Sequence, residues 1–558
     1  MTAPDDGEGG GAAQADRAMA GIARSGAASL VGSGVSVICQ FVVVLVVTRF
    51  YPSADAGALF AATATFVVVM ALVQLGADQG LVRFIAWHRA RGEHEIVDRL
   101  VRTAVVPVLV ASLIGAGVLS LVADPLSSMF AEGSGDLVAG MLRSLAAAVP
   151  LAALHEVFLA GTRGFGTMRP TIMIERVLRP VLQSVAIVVV GLAGAEAGAL
   201  ALAWAAPYVA AVALSGLALR QRVRSAGRRT LGERHESVVV QPLTESAVGR
   251  VTDLGPPRSL GRQFWSFAVA RGAARACQVA LQRSDIILVA ALVSTSAAAV
   301  YTAATRFIAL GQLVNQAVLQ VIQPRLAALL SRHEYANAQH VVRRSALWLT
   351  TLAWPGYLAL VALAPLLMSI FGSDYVAGAS SVIVLALAMM AATAAGPVDV
   401  VLLMAGRSGA SLASVVVALV VDVVGCLLLL PTLGILGAAV AWAAAIVVRN
   451  AITIALAHRL VRMTAWSSEL GVVSVVAIAC LAVVPVPLAI WRAPDLVVIG
   501  AMALGAAAYA LVVWRRRERL GGPGLAGMLR RRTAGAGKPG QPAATDSETG
   551  LGVGAGGP

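Results

Sequence analysis

Apolar runs of about twenty residues, separated by short polar connections, recur along the whole chain. Fourteen such runs are read, at about 27–50, 56–78, 101–123, 138–161, 171–194, 197–219, 264–291, 297–323, 345–371, 377–404, 410–432, 434–457, 469–490 and 495–514. Runs of this length predict bilayer-spanning helices, whereas a barrel would show short alternating segments. The seventh run sits in 262–292, RQFWSFAVARGAARACQVALQRSDIILVAAL, and carries Arg271, Arg275, Gln278, Gln282 and Asp285. Spacings of four, three, four and three place these on one face of a helix. A charged side chain at mid-membrane costs roughly 2.5–3.5 kcal/mol on insertion scales. The stripe therefore needs water, a partner or an anionic ligand beside it, and predicts the wall of a polar cavity.

The next run supports that picture. Gln312, Gln316 and Gln320 repeat every four residues and form a second polar stripe on the adjacent span. Amides offer donors and acceptors to sugar hydroxyls without net charge. The fifth run opens with Glu175, Arg176, Arg179 and Gln183, where Glu175 and Arg179 have the spacing of an i, i+4 pair. Arg176 and Arg179 either line a wall opposite Arg271 or mark the cytoplasmic end of their helix. Asp285 stands beside Arg283, with Arg306 on the following span, so a structural ion pair and a coupling role are both open. His155–Glu156 and Asp399 lie in apolar surroundings, and Asp422 lies deep in LVVDVVG. Asp285, Glu156, Asp399 and Asp422 are the candidates for ion coupling.

Composition fixes the solvent. Of 558 residues 58% are hydrophobic and 13% charged, about half the charged share of a soluble domain. The formal charge of +14 comes almost entirely from arginine. In alternate loops the arginines cluster, at 83–102, 162–170, 220–262, 325–344, Arg407, 458–462 and 515–519, while the opposite loops are short and arginine-poor. Positive loops stay inside, so the expected topology has both termini in the cytoplasm and the chain in the cytoplasmic membrane. Aromatic residues do not interleave with the basic clusters, and no nucleic-acid partner is expected. Cys39, Cys277, Cys426 and Cys480 lie inside apolar runs without metal-site or disulfide spacing, so no metal is expected. No phosphate loop is present, and no cofactor is implied. The first residues lack the basic segment of a cleaved signal, so the first span is expected to remain as an anchor.

The chain reads as duplicated. A shift of 242 residues superposes Ser29, Ser33, Ser36 and Gln40 on Arg271, Arg275, Gln278 and Gln282, and GALFAAT (57–63) on AVYTAAT (299–305). Slightly different offsets pair HEVFLAGTR (155–163) with DVVLLMAGR (399–407), and GALALAW (198–204) with GAAVAW (437–442). The expected organisation is a disordered cytoplasmic tail over 1–25, a six-helix bundle over 26–220 and a cytoplasmic linker over 221–262. A second six-helix bundle over 263–460, an extra helix pair over 461–518 and a disordered tail over 519–558 follow. Two related bundles about a midplane site are a transporter architecture.

Several segments carry a family resemblance: TRFYPSADAGALFAA at the end of the first span, its echo LVSTSAAAVYTAATRF, QPRLAALL (323–330), FGSDY (371–375) and MAGRSG (404–409). Over roughly 25–515 the chain resembles the O-antigen or Wzx-type flippases of the multidrug/oligosaccharidyl-lipid/polysaccharide exporter superfamily. The resemblance implies a V-shaped pair of bundles that moves an undecaprenyl-pyrophosphate-linked oligosaccharide to the outer leaflet by alternating access, for surface polysaccharide synthesis. It implies lipid-linked oligosaccharide and membrane lipids as partners, beside a glycan polymerase and glycosyltransferases of the same pathway. Arg271 and Arg275 are then expected to grip the diphosphate bidentately. Gln278, Gln282, Gln312, Gln316, Gln320, Arg176 and Arg179 complete the expected binding set. The alternatives are a lipid II flippase, from whose first-helix Arg-Asp pattern Ser29 and Ser33 depart, and a multidrug or cation antiporter, whose cavity should be acidic. A membrane glycosyltransferase or glycan polymerase would need larger outer loops than the short ones present.

Overall fold

The apolar runs do become helices. Residues 8–128, 130, 135–232, 259–491 and 493–516 are described by a computed structural model. Among them every regular element is helical, with no strand. The first part of the chain forms α1 (Glu8–Phe50), α2 (Ser53–Val73), α3 (Ala77–Ala90), α4 (His94–Ser127) and α5 (Gly135–Gly164). A π-helical turn, Thr171–Leu178, leads into α6 (Arg179–Leu192), followed by α7 (Gly198–Ala205) and α8 (Pro207–Gly232). The later part has α9 (Leu260–Leu281), α10 (Ser284–Leu292), α11 (Thr295–Ser331), α12 (Tyr335–Ala362) and α13 (Ala364–Ser369). A 3₁₀ turn at Ser373–Gly378 precedes α14 (Ala379–Ala395), α15 (Val398–Met404), α16 (Ser408–Leu433) and α17 (Ile435–Val461). The last helices are α18 (Ser468–Leu481), α19 (Pro485–Ile490) and α20 (Asp495–Arg515). The chain divides into residues 1–509, which hold every packing relation below, and residues 510–558.

Eleven helices among the described residues are long and apolar enough to cross a bilayer. They coincide with eleven of the fourteen expected runs. The other three are interrupted: the fifth begins as the π-helical turn, the seventh breaks at Gln282–Arg283, and the thirteenth breaks between α18 and α19. The physical reason is local. At the second site the Asp285 carboxylate takes the Ile286 amide at 2.8 Å, and at the first and third Pro180 and Pro485 lack the amide proton an unbroken helix would need.

Two boundaries differ from expectation. The chain expected to be irregular ahead of residue 26 is helical from Glu8, its many alanines being the best helix formers. The expected linker starts later than residue 221, because α8 continues to Gly232; residues 233–258 lie outside the described residues, as does the tail from 517.

Packing follows small residues. α5 is surrounded by α2, α3, α4, α7 and α8, and α17 lies against α14 and α16. α2 also packs on α9, α10 and α11, joining the earlier and later helices. Those crossings need glycine: a β-carbon on Gly57 would fall 1.7 Å from the Thr295 carbonyl oxygen. At the other end of α2, Gly76 adopts φ +73°, and its β-carbon would fall 2.0 Å from the Ala268 carbonyl oxygen. Close backbone approach through small residues is how membrane helices associate, since lipid removes the hydrophobic drive between them.

Candidate functional site

A cavity of about 540 Å³ opens beside the break between α9 and α10. Its walls come from α9, α10, α11, α14, α15 and α17, and α1 supplies Val37 and Gln40. The helix break is what places the chemistry. Because α9 stops at Leu281, Gln282 and Arg283 leave the helical ladder and face the cavity beside Asp285 at the start of α10.

Three guanidinium groups, Arg283, Arg306 and Arg449, line the cavity with two carboxylates, Asp285 and Asp399. Arg449 is compensated: its Nη2 donates to Asp399 Oδ2 at 3.0 Å, and Ser411 Oγ donates to Oδ1 of the same carboxylate at 2.6 Å. Asp285 is also occupied, accepting from Tyr301 Oη and from the Ile286 amide, each at 2.8 Å. Arg306 Nη1 donates to Gln40 Oε1 at 3.1 Å, while its Nε is buried without an acceptor. Among the described residues neither Arg283 nor Arg306 has an ion-pair partner. Two cations without an ion-pair partner among the described residues thus share a cavity with the Asp285 carboxylate, the hydroxyls of Tyr301, Thr305 and Thr393, and a large set of amides: Gln40, Gln278, Gln282, Gln312, Asn315, Gln316 and Asn450. Such a lining can hold a diphosphate through the arginines and hydroxyl-rich groups through the amides.

Of the residues expected from sequence, Gln278, Gln282, Gln312, Gln316, Asp285 and Asp399 line the cavity. Arg271 and Arg275 do not. They are exposed, two turns and one turn back, respectively, along the stripe of α9 that carries Gln278. Gln320 lies a turn beyond Gln316, its Oε1 buried without a donor. Arg176 is engaged elsewhere, donating to the Ser29 carbonyl oxygen at 2.8 Å and to Ser33 Oγ at 2.9 Å on α1. Arg179 grips Glu175, Nε to Oε2 at 2.7 Å, and reaches Gln183 at 3.3 Å. Glu156 belongs with His155 and Glu175 in a cluster away from the cavity. Asp422 is fully buried behind α10, accepting from Ser284 Oγ at 2.9 Å.

Sequence reading does not find Arg449, Asn315 and Asn450 as cavity wall, and it offers Arg283 and Arg306 beside Asp285 for a structural ion pair or a coupling role, not for binding cargo. The signal was present: Arg449–Asn450 interrupts the apolar run of 434–457, and polar residues inside spans mark function by default.

Around the end of α1, Arg49 Nε donates to the Ile370 carbonyl oxygen at 2.8 Å and Nη2 to that of Ser369 at 3.4 Å. Nearby, the rings of Phe41, Phe307 and Phe371 meet pairwise at 5.3–5.5 Å. α1 is thereby fastened to the later helices at its end and at Gln40.

Against solved structures, the chain is similar to the lipid II flippase MurJ in an inward closed conformation, with TM-score 0.66 and 10% identity over 88% of this chain and 99% of that one. It is also similar to a multidrug resistance MATE family transporter of the MOP superfamily in an inward-facing conformation, with TM-score 0.58 and 16% identity over 77% and 95%. The chain therefore shares the all-α fold of these two structures, with helices for several membrane passes. Residues 257–380, which contain α9 to α13 and the Arg283–Arg306 wall, match a family described as polysaccharide biosynthesis protein. A comparison with curated protein sequences finds no match.

Proposed function

We propose that this protein is a flippase that carries a lipid-linked oligosaccharide, of the undecaprenyl-pyrophosphate type, between leaflets of the cytoplasmic membrane for surface polysaccharide synthesis. The observation that carries the proposal is the pair Arg283 and Arg306, neither with an ion-pair partner among the described residues, in an amide-rich cavity of an exporter fold. The diphosphate sits between the two guanidinium groups, and the first sugars meet Gln278, Gln282, Gln312 and Gln316. Arg271 and Arg275, on the same stripe nearer the chain's arginine-rich loops, collect the head group on its way in. The match of residues 257–380 to a polysaccharide biosynthesis family supports a glycan cargo.

The topology follows the arginine-rich loops: fourteen crossings, both termini cytoplasmic, and two six-helix halves with an extra pair. Within it the Arg49–Ile370 contact and the three phenylalanines form the outer gate, and its opening exchanges one face of the cavity for the other. The protein moves its cargo without changing it. The glycosyltransferases that build the cargo and the polymerase that extends it act before and after it.

The test is flipping in proteoliposomes loaded with undecaprenyl-pyrophosphate oligosaccharide, lipid II or a cationic dye. Movement of the oligosaccharide that Arg306→Gln abolishes and Arg306→Lys partly keeps is the expected result. Movement of lipid II alone assigns a peptidoglycan precursor instead, and dye movement alone assigns an antiporter.

A further inference from the structure

α17 gives the cavity a wall unlike the one that carries Arg283 and Arg306. Trp442, Ile446, Arg449 and Asn450 line the void, and their spacings of four, three and one put them on one face of the helix. The small residues beside them, Ala441 and Ala445, are buried against neighbouring helices. The large side chains are therefore the ones turned to the cavity.

Packing does not account for Trp442. Among the described residues its indole makes no hydrogen bond and no ring contact. Trp354, by contrast, donates from Nε1 to the Met390 carbonyl oxygen and to Thr393 Oγ1, each at 3.1 Å. An indole held inside a protein usually finds such a partner. A tryptophan that anchors a span to the membrane interface would sit at the helix end, but Trp442 is the eighth residue of α17. It stands in the cavity with its N–H unused.

The Asp399–Arg449 pair lies about 10 Å further along the axis, at 1.5 Å per residue. Arg449 uses Nη2 on Asp399 Oδ2, and Asp399 takes Ser411 Oγ on its other oxygen. Further guanidinium N–H groups and further carboxylate lone pairs remain, and both side chains are partly exposed. Asn450 Nδ2 donates to the Ile446 carbonyl oxygen at 2.9 Å, which leaves its Oδ1 as a free acceptor. An aromatic plate, a neutralised ion pair and an amide thus share one strip.

We infer that the α15–α17 wall is a subsite for a neutral pyranose ring of the cargo, with Trp442 stacked on its C–H face and Asp399 and Arg449 on neighbouring hydroxyls. A sugar ring has the same two-sided character as this strip. Its C–H groups form an apolar face, which suits the electron-rich face of an indole. Its hydroxyls come in adjacent pairs, each both donor and acceptor. Arg449 donates to one hydroxyl oxygen while Asp399 accepts the proton of the next.

Charge sets the selectivity. Asp399 already neutralises Arg449, so an acidic sugar finds no free cation here and brings its carboxylate against another. Arg283 and Arg306 take the diphosphate, and this wall takes an uncharged ring beyond the amides. The inference rests on the transport reading for the lipid diphosphate, but not for the contact with the sugar.

The test is binding to the full-length protein in nanodiscs of undecaprenyl diphosphate carrying one glucose, two glucoses, or one glucose with an outer glucuronic acid. The wild type should bind the two-glucose lipid about tenfold tighter than the one-glucose lipid, and the glucuronic lipid no tighter. Trp442→Ala should erase the second-ring preference without changing the one-glucose affinity, and Trp442→Phe should keep most of it. Tryptophan emission should shift to the blue on binding the two-glucose lipid, and that shift should be absent in Trp442→Phe, which decides the matter where Trp442→Ala does not fold. A wild type blind to the second ring, equal weakening of both lipids in Trp442→Ala, or a shift that survives in Trp442→Phe overturns the inference. Tighter binding of the glucuronic lipid overturns it too, in favour of an anion subsite. A one-glucose affinity that ignores Arg306→Gln, beside a second-ring preference that needs Trp442, would remove the head-group reading and leave this subsite standing.

Discussion

Arg306 Nη1 lies 3.1 Å from Gln40 Oε1, so the first helix and α11 meet through a hydrogen bond at the cavity wall. The two positions come from different parts of the chain, and the bond leaves the arginine charged. Gln40→Glu keeps the size and replaces the neutral acceptor by a carboxylate. It should neutralise Arg306 and weaken undecaprenyl diphosphate binding by about tenfold, since a charge-assisted hydrogen bond contributes roughly 1.5–3 kcal/mol. Binding to the purified protein checks this, and an unchanged affinity removes Arg306 from the head-group site.

Arg271→Ala and Arg275→Ala are expected to do less. Both side chains are exposed, and exposed charges contribute about 0–1 kcal/mol. Flipping rates should fall by less than about fivefold, and the deficit should vanish at about 1 M salt, where charges are screened within roughly 3 Å. A loss that persists at high salt would place these arginines in direct contact with the cargo.

Arg49→Ala removes the donor to the carbonyl oxygens of Ile370 and Ser369. Hydrogen bonds from a charged group contribute about 1.5–3 kcal/mol, so the outward-open population should rise roughly tenfold or more. A cysteine at Val37, on the cavity wall, should then react faster with an impermeant maleimide added outside. Unchanged labelling would show that the latch is elsewhere.

Gly57→Ala puts a β-carbon 1.7 Å from a backbone oxygen that cannot rotate away. α2 must shift from the start of α11, at an overpacking cost of about 1–3 kcal/mol. A lower thermal midpoint in detergent, with further loss in Gly57→Val, is the expected reading. Gly34, whose β-carbon would meet nothing within 4 Å, is the control, and Gly34→Ala should melt like the wild type.

Asp399 and Arg449 form a pair that is one-third and one-fifth exposed. Removing one partner strands the other's charge, whereas removing both does not. Asp399→Asn and Arg449→Gln should each destabilise by about 1 kcal/mol, a figure already reduced for solvent screening, and the double variant by less than their sum. Additive losses in thermal midpoint would mean that the two side chains do not interact.

The sequence by itself determined the solvent, the helical class and most of the element positions. A hydrophobic run of twenty residues has one inexpensive solution in lipid, because every backbone group must be bonded within the segment. It also determined four of the cavity amides, since the spacing of Gln278, Gln282, Gln312 and Gln316 puts each pair on one helical face. Only the tertiary structure decided which arginines the cavity keeps. Arg271 and Arg275 share a stripe with Gln278, but helical spacing says nothing about where along a stripe the void begins. Arg306, Arg449 and Gln40 lie on three different helices, and His155 meets Glu175 only because α5 packs against the π-helical turn. Periodicity orients a side chain about its own axis; the distance from one axis to the next depends on small residues such as Gly57 and Gly76, whose contacts exist only once the helices have met.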